Sequence, residues 1–226
     1  MNLLKFERAH QRLLREIERD AKETEFWTGR TRFSKRTMTA MAVVPRHKFV
    51  LSGDEAVAYV NRPQAIGHGQ TISQPYIVAL MTDFLDLTGS EKVLEIGSGS
   101  GYQAAVLAQV ADQVFTIEIV KELAQSAAQS LDRLGCERDH VRHGDGFLGW
   151  LEEAPFDAIM VTAAPERIPQ ALVDQLKPGG RMIIPIGRAH DRQILTLVVK
   201  DASGQTSTDN VLPVPFVPMV REKKRN

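Results

Sequence analysis

The chain has few of the features that mark secreted, metal-binding and membrane-spanning proteins. Its 226 residues include one cysteine, Cys136, which excludes an internal disulfide and a cysteine-based zinc cluster and favours a reducing compartment. No apolar run approaches the roughly 18–20 residues that cross a bilayer, and the charged N-terminus does not fit a secretory signal. We therefore expect a soluble cytoplasmic protein that holds no metal and does not associate with a membrane.

The chain also lacks an excess of charge of either sign. Lys plus Arg and Asp plus Glu number 28 each, so the sequence gives no electrostatic reason to expect nucleic acid or an anionic membrane as a partner. The basic cluster Arg30, Arg32, Lys35 and Arg36 is more simply solvated surface. Hydrophobic residues make up 43% of the chain, which is enough for one large domain, or for one domain with an appendage.

The first 37 residues predict that appendage. Apolar residues recur at roughly helical spacing between residues 3 and 20 among mixed charges, which indicates an amphipathic helix docked on the domain or on a partner. Residues 23–37 are polar and basic and could form a linker or a mobile segment. We therefore divide the chain into residues 1–37 and 38–226. The second part comprises a cap region (38–90) and a core (91–226), and we expect a monomer.

From about residue 91 the pattern alternates between strand and helix, which predicts an α/β, Rossmann-like fold. The sheet should be mostly parallel and covered on both faces, and the last two strands should form an antiparallel edge. The predicted strands are 92–96, 114–119, 141–143, 156–162, 181–186, 193–200 and 211–217. The predicted helices of this region are 101–110, 121–134 and 168–175.

The most informative stretch of the core runs from Val93 to Tyr102. An apolar run ends at Glu95, and glycines follow at positions 97, 99 and 101. This pattern indicates a strand, a tight turn and a helix N-terminus, where a nucleotide-like cofactor can approach bare backbone. It is not a P-loop, because no Lys-Ser/Thr pair follows the glycines, and it fits a dinucleotide fingerprint poorly. An ordinary structural turn is the alternative at this point.

Polar residues follow the other predicted strands where ligands bind such sheets, at the carboxyl ends. Glu118 could accept hydrogen bonds from both hydroxyls of a ribose, although it could also be a surface residue at a strand end. Asp145 lies between two glycines and could accept from an adenine amino group, or it could belong to an Asp-Gly turn. Thr162 opens a run of small residues on which a flat ligand could lie.

A second informative stretch, residues 59–76, precedes the core and is rich in glycine and hydrogen-bonding side chains. Ser73 and Pro75 fit a helix N-terminus, with Ser73 as the cap. A hydroxyl and free amides at such a position could also receive a carboxylate. His68, between two glycines, could be a base or simply a structural group. No G-x-S-x-G elbow is present, which argues against a serine hydrolase.

Together these stretches resemble the protein-L-isoaspartate (D-aspartate) O-methyltransferase family. The resemblance covers about residues 38–219 and is carried by segments 44–50, 66–76, 94–102, 144–146, 154–157 and 179–181. It implies S-adenosyl-L-methionine (SAM) as cofactor, S-adenosyl-L-homocysteine as its product, and isoaspartyl residues of damaged proteins and peptides as substrate. The methyl ester would then cyclise to a succinimide, which starts repair. Residues 29–35 depart from the family's pattern, which bears on the covering of the active site.

The resemblance also assigns roles to individual residues. It makes Ser73 the active-site serine and residues 38–90 the cap region that holds the active site and contacts the substrate. The substrate contacts that it implies are Gly67, His68, Gln70 and Val217. The SAM contacts are Thr71, Ile72, Glu95, Gly97, Ser98, Gly99, Glu118, Asp145, Gly146 and Thr162.

Two other functions fit the same motifs. The protein could be a SAM-dependent methyltransferase that acts on another acceptor, such as a small carboxylic acid or an RNA base. It could also bind SAM without turnover and recruit a partner through its N-terminal helix. The stretch 67–73 and the neutral charge argue against the first, and the presence of Ser73 together with every expected cofactor position argues against the second.

Overall fold

The computed structural model describes residues 3–136, 140–188 and 191–222, so the predicted ranges 1–37 and 38–226 extend beyond it at both termini. Within those residues, no helix is long and apolar enough to cross a membrane. The helices are α1 Leu3–Glu23, α2 Glu25–Thr28, α3 Lys35–Val43, α4 Pro75–Phe84, α5 Tyr102–Leu107, α6 Lys121–Asp132 and α7 Gln170–Gln175. The strands are β1 Gln64–Gly67, β2 Gln70–Ile72, β3 Lys92–Ile96, β4 Gln113–Glu118, β5 His140–His143, β6 Phe156–Val161, β7 Leu176–Ile186, β8 Gln193–Lys200 and β9 Thr206–Val214.

The main sheet has seven strands in the order β5-β4-β3-β6-β7-β8-β9. The pairs from β5 to β7 are parallel, and β8 and β9 add antiparallel pairs. The predicted Rossmann-like α/β fold is thus confirmed. From β3 the chain proceeds outward through β4 and β5, and it then returns to β6 on the other side of β3. That reversal leaves a crevice between the carboxyl ends of β3 and β6, where such sheets bind ligands.

Both faces of the sheet are covered, as its apolar strands require. Val93 on β3 packs in a core that includes Leu80 of α4 and Val106 of α5. The next residue, Leu94, joins a second core on the other face, together with Leu172 of α7. Successive side chains of β3 therefore point to opposite faces, and Glu95 is fully buried between apolar neighbours in the sequence.

The predicted end of the last strand is wrong by a few residues, for a reason that matters at the site. β9 ends at Val214 rather than at residue 217. Val217 instead accepts a hydrogen bond from the Ala164 N–H at 2.8 Å, and Met219 donates to the Ala164 carbonyl at 2.8 Å. The chain therefore leaves the sheet after β9 and crosses to the loop that follows β6.

The polarity of residues 23–37 suggests a linker or a mobile segment, but in the structure this segment is anchored to the core. Asp83 on α4 has a side chain that is 1% exposed and forms an ion pair with Arg30. The same carboxylate accepts hydrogen bonds from the Ser34 N–H at 2.7 Å and the Thr37 hydroxyl at 3.0 Å. Arg30 is therefore not a solvated surface residue. The sequence had hidden this anchor because Asp83 lies 46 residues from Thr37.

The N-terminal helix packs on the same core as the rest of the chain. Leu13 and Ile17 on α1 are 1% and 0% exposed and belong to the core cluster that contains α4 and α5 residues. The division at residue 37 remains a proposal about the sequence. In the structure it falls inside α3, and the buried face of α1 makes residues 3–37 part of one packed unit with α4 and α5.

We predict that Asp83→Asn lowers the free energy of unfolding by about 2–4 kcal/mol, because it removes the buried charge that pairs with Arg30 and accepts from Ser34 and Thr37. Chemical denaturation measures this. Asp86→Asn is the matched control, since its side chain is 69% exposed and its ion pair with Arg181 spans 3.4 Å; it should cost less than about 1 kcal/mol. Equal losses in the two variants would contradict the anchoring role.

Candidate cofactor and active site

The glycine turn after β3 is a left-handed backbone that side chains do not fit. Gly97, Gly99 and Gly101 have φ values of 97°, 52° and 87°, which favour glycine. The Gly97 N–H donates to the Ile117 carbonyl at 2.7 Å, so the turn folds against the end of β4. A Cβ on Gly97 would lie 2.4 Å from Thr162 Oγ1. Bare backbone therefore faces the crevice, as the sequence predicts.

Glu118 ties the second strand to that turn. One carboxylate oxygen accepts from the Gly99 N–H at 2.8 Å, and the other accepts from the Val120 N–H at 2.9 Å. The residue is 5% exposed. A carboxylate oxygen has two lone pairs, so each oxygen retains acceptor capacity for a ribose hydroxyl while the two amides fix its orientation.

A chain of buried hydrogen bonds joins Glu95 and Ser98 to β4. Thr116 on β4 donates its hydroxyl hydrogen to the Glu95 carboxylate, and its oxygen lies 2.7 Å from the Ser98 hydroxyl. All three residues are buried. Glu95 therefore supports the turn through this chain of hydrogen bonds, and its direct contact with the cofactor remains a prediction.

A cleft lies at the carboxyl ends of β3, β4 and β6. It has a volume of about 580 Å³, part of it open to solvent. We call it the glycine-turn cleft. Glu118 is the only charged residue among those that line it. The lining residues are Gln70, Thr71, Ile96, Gly97, Gly99, Ile117, Glu118, Ile119, Gly146, Thr162, Ala163 and 217–220.

The features of this cleft fit SAM. Bare glycine backbone, a buried carboxylate for ribose hydroxyls and apolar walls for an adenine suit its nucleoside. Gly146 packs directly on Ile96 in the wall of this cleft, because a Cβ there would lie 2.4 Å from Ile96 Cγ2. The single negative charge of Glu118 is also compatible with a ligand that carries a positive sulfonium.

The second cleft, of about 520 Å³, lies beside the first, and we call it the C-terminal cleft. Its ten lining residues are all uncharged: Pro63, Thr71, Ser73, Gln74, Ile77, Thr162, Val214, Pro215, Phe216 and Val217. The Gln193 side chain fixes one wall, because it accepts from the Phe216 N–H at 2.6 Å and donates to the Phe216 carbonyl at 3.0 Å. An anionic ligand would meet no carboxylate on these walls.

The two clefts share Thr71, Thr162 and Val217. The Thr162 hydroxyl is directed into the protein, where it donates to the Gly97 carbonyl at 2.7 Å with the Ile96 carbonyl 3.0 Å away. A smaller recess of about 320 Å³ joins the same place and is lined by Thr71, Ile72, Ser73, Gly97, Ser98, Gly99, Thr162 and neighbours. Ser73 thus lies where the recess and the C-terminal cleft meet.

Ser73 does not cap α4, which corrects one of its two predicted roles. The N-cap residue is Gln74, and no side chain caps the helix. Ser73 instead occupies the short connection between β2 and α4, and its carbonyl accepts from Arg46 Nη2 at 2.8 Å. Its hydroxyl is therefore not committed to capping, which leaves the carboxylate-receiving role open.

Asp145 turns its carboxylate toward its own loop. Oδ1 accepts from the Phe147 N–H at 2.9 Å, and Oδ2 lies 3.9 Å from Arg221 Nη1. Gly146 lines the glycine-turn cleft, whereas Asp145 is not among its lining residues. Contact between Asp145 and an adenine amino group therefore remains a prediction.

Gly67 and His68 have a local structural explanation. They open the turn of the β1–β2 hairpin, in which Gly67 pairs with Gln70. His68 and Gly69 have φ values of 53° and 70°, as a two-residue type I′ turn requires. Neither Gly67 nor His68 lines either cleft, and their contact with substrate remains a prediction.

Sequence reasoning missed some of the walls and supports. Ile119 and Met219 line the glycine-turn cleft, but isolated apolar residues give no signal of a binding role. Arg46 supports Ser73 from a fully buried position. Its place in the segment 44–50 that carried the resemblance was the only hint, because a buried arginine cannot be distinguished from a solvated one by its sequence.

Comparison with known proteins agrees with this geometry. The family model described as protein-L-isoaspartate (D-aspartate) O-methyltransferase matches residues 25–224. Protein-L-isoaspartate O-methyltransferase 2 of Syntrophobacter fumaroxidans is 55% identical over 211 residues, which cover 93% of this chain and 85% of that protein.

Two solved structures have the same fold over more than nine tenths of this chain. A protein-L-isoaspartate O-methyltransferase is 27% identical with a TM-score of 0.79, and the match covers 92% of this chain and 65% of the other. A Plasmodium falciparum protein that was named for the same activity, solved in complex with S-adenosyl-L-homocysteine, is 26% identical with a TM-score of 0.76; that match covers 94% of this chain and 99% of the other. The chain belongs to the protein-L-isoaspartate (D-aspartate) O-methyltransferase family.

Proposed function

We propose that Ser73 orients the free α-carboxylate of an L-isoaspartyl residue in the C-terminal cleft, while the glycine-turn cleft holds SAM. The reaction is the SAM-dependent methylation that gives the family its name, and it would initiate repair of damaged proteins and peptides. The observation that carries the proposal is the shared boundary at Thr71 and Thr162, because it brings the cleft of the glycine turn and Glu118 against an uncharged cleft that contains Ser73.

The acceptor needs no base. A free α-carboxyl has a reference pKa of about 3.3–3.7, so it is already an anion at pH 7. SAM, when bound, supplies an electrophilic methyl group on a sulfonium. The protein's task is to align the acceptor oxygen with that group and to keep water from solvating it. The uncharged walls of the C-terminal cleft suit this task because they do not repel the anionic acceptor. The Ser73 hydroxyl suits it because it can donate a hydrogen bond to the acceptor carboxylate.

The alternatives lose support. Methylation of an unrelated acceptor and cofactor binding without turnover both disagree with a family match that covers residues 25–224.

We propose further that the protein acts as a cytoplasmic monomer without a nucleic-acid partner, and that D-aspartyl residues are a second substrate class. Partner contacts through α1 would use its solvent-facing side, because Leu13 and Ile17 are buried.

We predict that the protein methylates a peptide containing L-isoaspartate and leaves its L-aspartyl isomer unmodified. The isomers differ in which carboxyl is free, and only the first presents an α-carboxylate at the altered linkage. Initial rates with methyl-labelled SAM measure the difference, and methylation of both isomers at similar rates would contradict the assigned substrate.

We predict that Ser73→Ala lowers kcat/KM for the isoaspartyl peptide by about one to two decades. This is the order expected for the loss of a positioned hydrogen bond of about 1.5–3 kcal/mol to a charged group. The affinity for S-adenosyl-L-homocysteine should not change. Ser90→Ala, at an exposed loop position, is the matched control and should leave kcat/KM unaltered. An unchanged kcat/KM for Ser73→Ala would remove the serine from the mechanism.

We predict that Glu118→Ala raises the Kd for S-adenosyl-L-homocysteine about 10- to 100-fold, because it removes the acceptor for ribose hydroxyls and releases the Gly99 and Val120 amides. Titration calorimetry measures this. Glu122→Ala, on the exposed side of α6, should bind as the unaltered protein does. If Glu118→Ala also retained its affinity, the ribose assignment would be wrong.

A further inference from the structure

Arg46 is a buried cation with no carboxylate partner among the described residues. It is 0% exposed, and none of the ion pairs of residues 3–136, 140–188 and 191–222 includes it. Burial lowers the pKa of Arg46 to about 10, so the guanidinium remains charged at neutral pH. Burying an unpaired charge is costly, so the groups that contact the Arg46 guanidinium must offset that cost.

The guanidinium connects three parts of the chain. Nε donates to the Ala58 carbonyl at 2.9 Å, and Nη2 donates to the Ser73 carbonyl at 2.8 Å. Its central carbon lies 4.8 Å from the centre of the Tyr102 ring. Tyr102 is the first residue of α5, directly after the glycine turn. The remaining nitrogen, Nη1, is buried without a hydrogen-bond partner.

Ser73 depends on such an external support. It follows the last residue of β2 and precedes the N-cap of α4, so its carbonyl belongs neither to a strand ladder nor to the helix. The fork of an arginine can hold two carbonyls in fixed relative positions, which the single ammonium of a lysine cannot do in the same geometry. Arg46 therefore holds the Ser73 carbonyl, which is part of the backbone that carries the Ser73 hydroxyl.

We propose that Arg46 is a positioning residue for methyl transfer, which holds Ser73 in the orientation that receives the acceptor carboxylate and adds a positive charge behind it. The inference rests on the proposed role of Ser73. The charge has a partner in the reaction, because the acceptor is an anion and the walls of the C-terminal cleft provide no cation of their own. In a buried environment such a charge acts over a longer range than in water.

A double-mutant cycle tests this, since residues that act through one another give non-multiplicative effects. The variants are Arg46→Lys and Ser73→Ala, singly and together, and the measured quantities are kcat and KM for the isoaspartyl peptide. We expect Arg46→Lys to lower kcat/KM about tenfold in the unaltered protein and less than twofold when Ser73 is already alanine. The Kd for S-adenosyl-L-homocysteine, measured in parallel, should change less than threefold.

The same fold-loss from Arg46→Lys in both backgrounds would overturn the proposal, and so would a loss of cofactor affinity that matches the loss of activity. If Arg46→Lys is not recovered as a folded protein, Arg46→Gln completes the same cycle. Arg46→Gln keeps a donor for the Ser73 carbonyl without the charge, so it should raise KM for the peptide above that of the unaltered protein, and above that of Arg46→Lys where both variants are recovered; a KM equal to that of the unaltered protein would refute the electrostatic part.

The cycle distinguishes failure of the serine's role from failure of the arginine's role. If Ser73→Ala has no effect, the proposed role of the serine fails and the role of Arg46 fails with it. If Ser73→Ala is impaired while the effects of the two substitutions multiply, the serine keeps its role and only the role of Arg46 is overturned.

Discussion

The glycine turn depends on backbone hydrogen bonds that fold it across the carboxyl ends of two neighbouring strands. The Gly97 N–H bonds to the Ile117 carbonyl, and the Gly99 N–H bonds to the Glu118 carboxylate. On the other side, the Thr162 N–H bonds to the Ile96 carbonyl at 2.9 Å. These bonds fix the bare backbone of the turn against β4 and β6. Thr162 of this framework lines both clefts, so the framework places the glycine-turn cleft beside the C-terminal cleft.

The distribution of charge around that framework matches the reaction. The glycine-turn cleft carries one carboxylate, Glu118, and the C-terminal cleft carries no charged side chain. A buried guanidinium, Arg46, lies behind Ser73. A cationic methyl donor and an anionic acceptor would therefore each meet a compatible field. Because both reactants bring their charges with them, the site needs alignment and exclusion of water more than it needs a titrating group.

The sequence predicted the parts of this structure that depend on local pattern. The strand–turn–helix at Glu95 to Tyr102 could be predicted because strand ends and glycines are local signals. The anchor between Asp83 and residues 30–37 could not, since the partners are distant in sequence and an acidic residue on a helix is ordinarily solvated. The cap role of Ser73 was wrong because Gln74 occupies that position. Arg46 was missed because burial of a charged residue is decided by tertiary packing alone.

The proposed reaction requires a methyl donor and Ser73 to meet at the boundary formed by Thr71 and Thr162. A crystal structure with bound S-adenosyl-L-homocysteine tests it most directly. We expect the ribose hydroxyls to contact Glu118 and the ligand's sulfur to lie between Thr71 and Thr162, facing the C-terminal cleft on the side of Ser73. A ligand bound outside the glycine-turn cleft, or a sulfur directed away from Ser73, would contradict this arrangement of donor and acceptor.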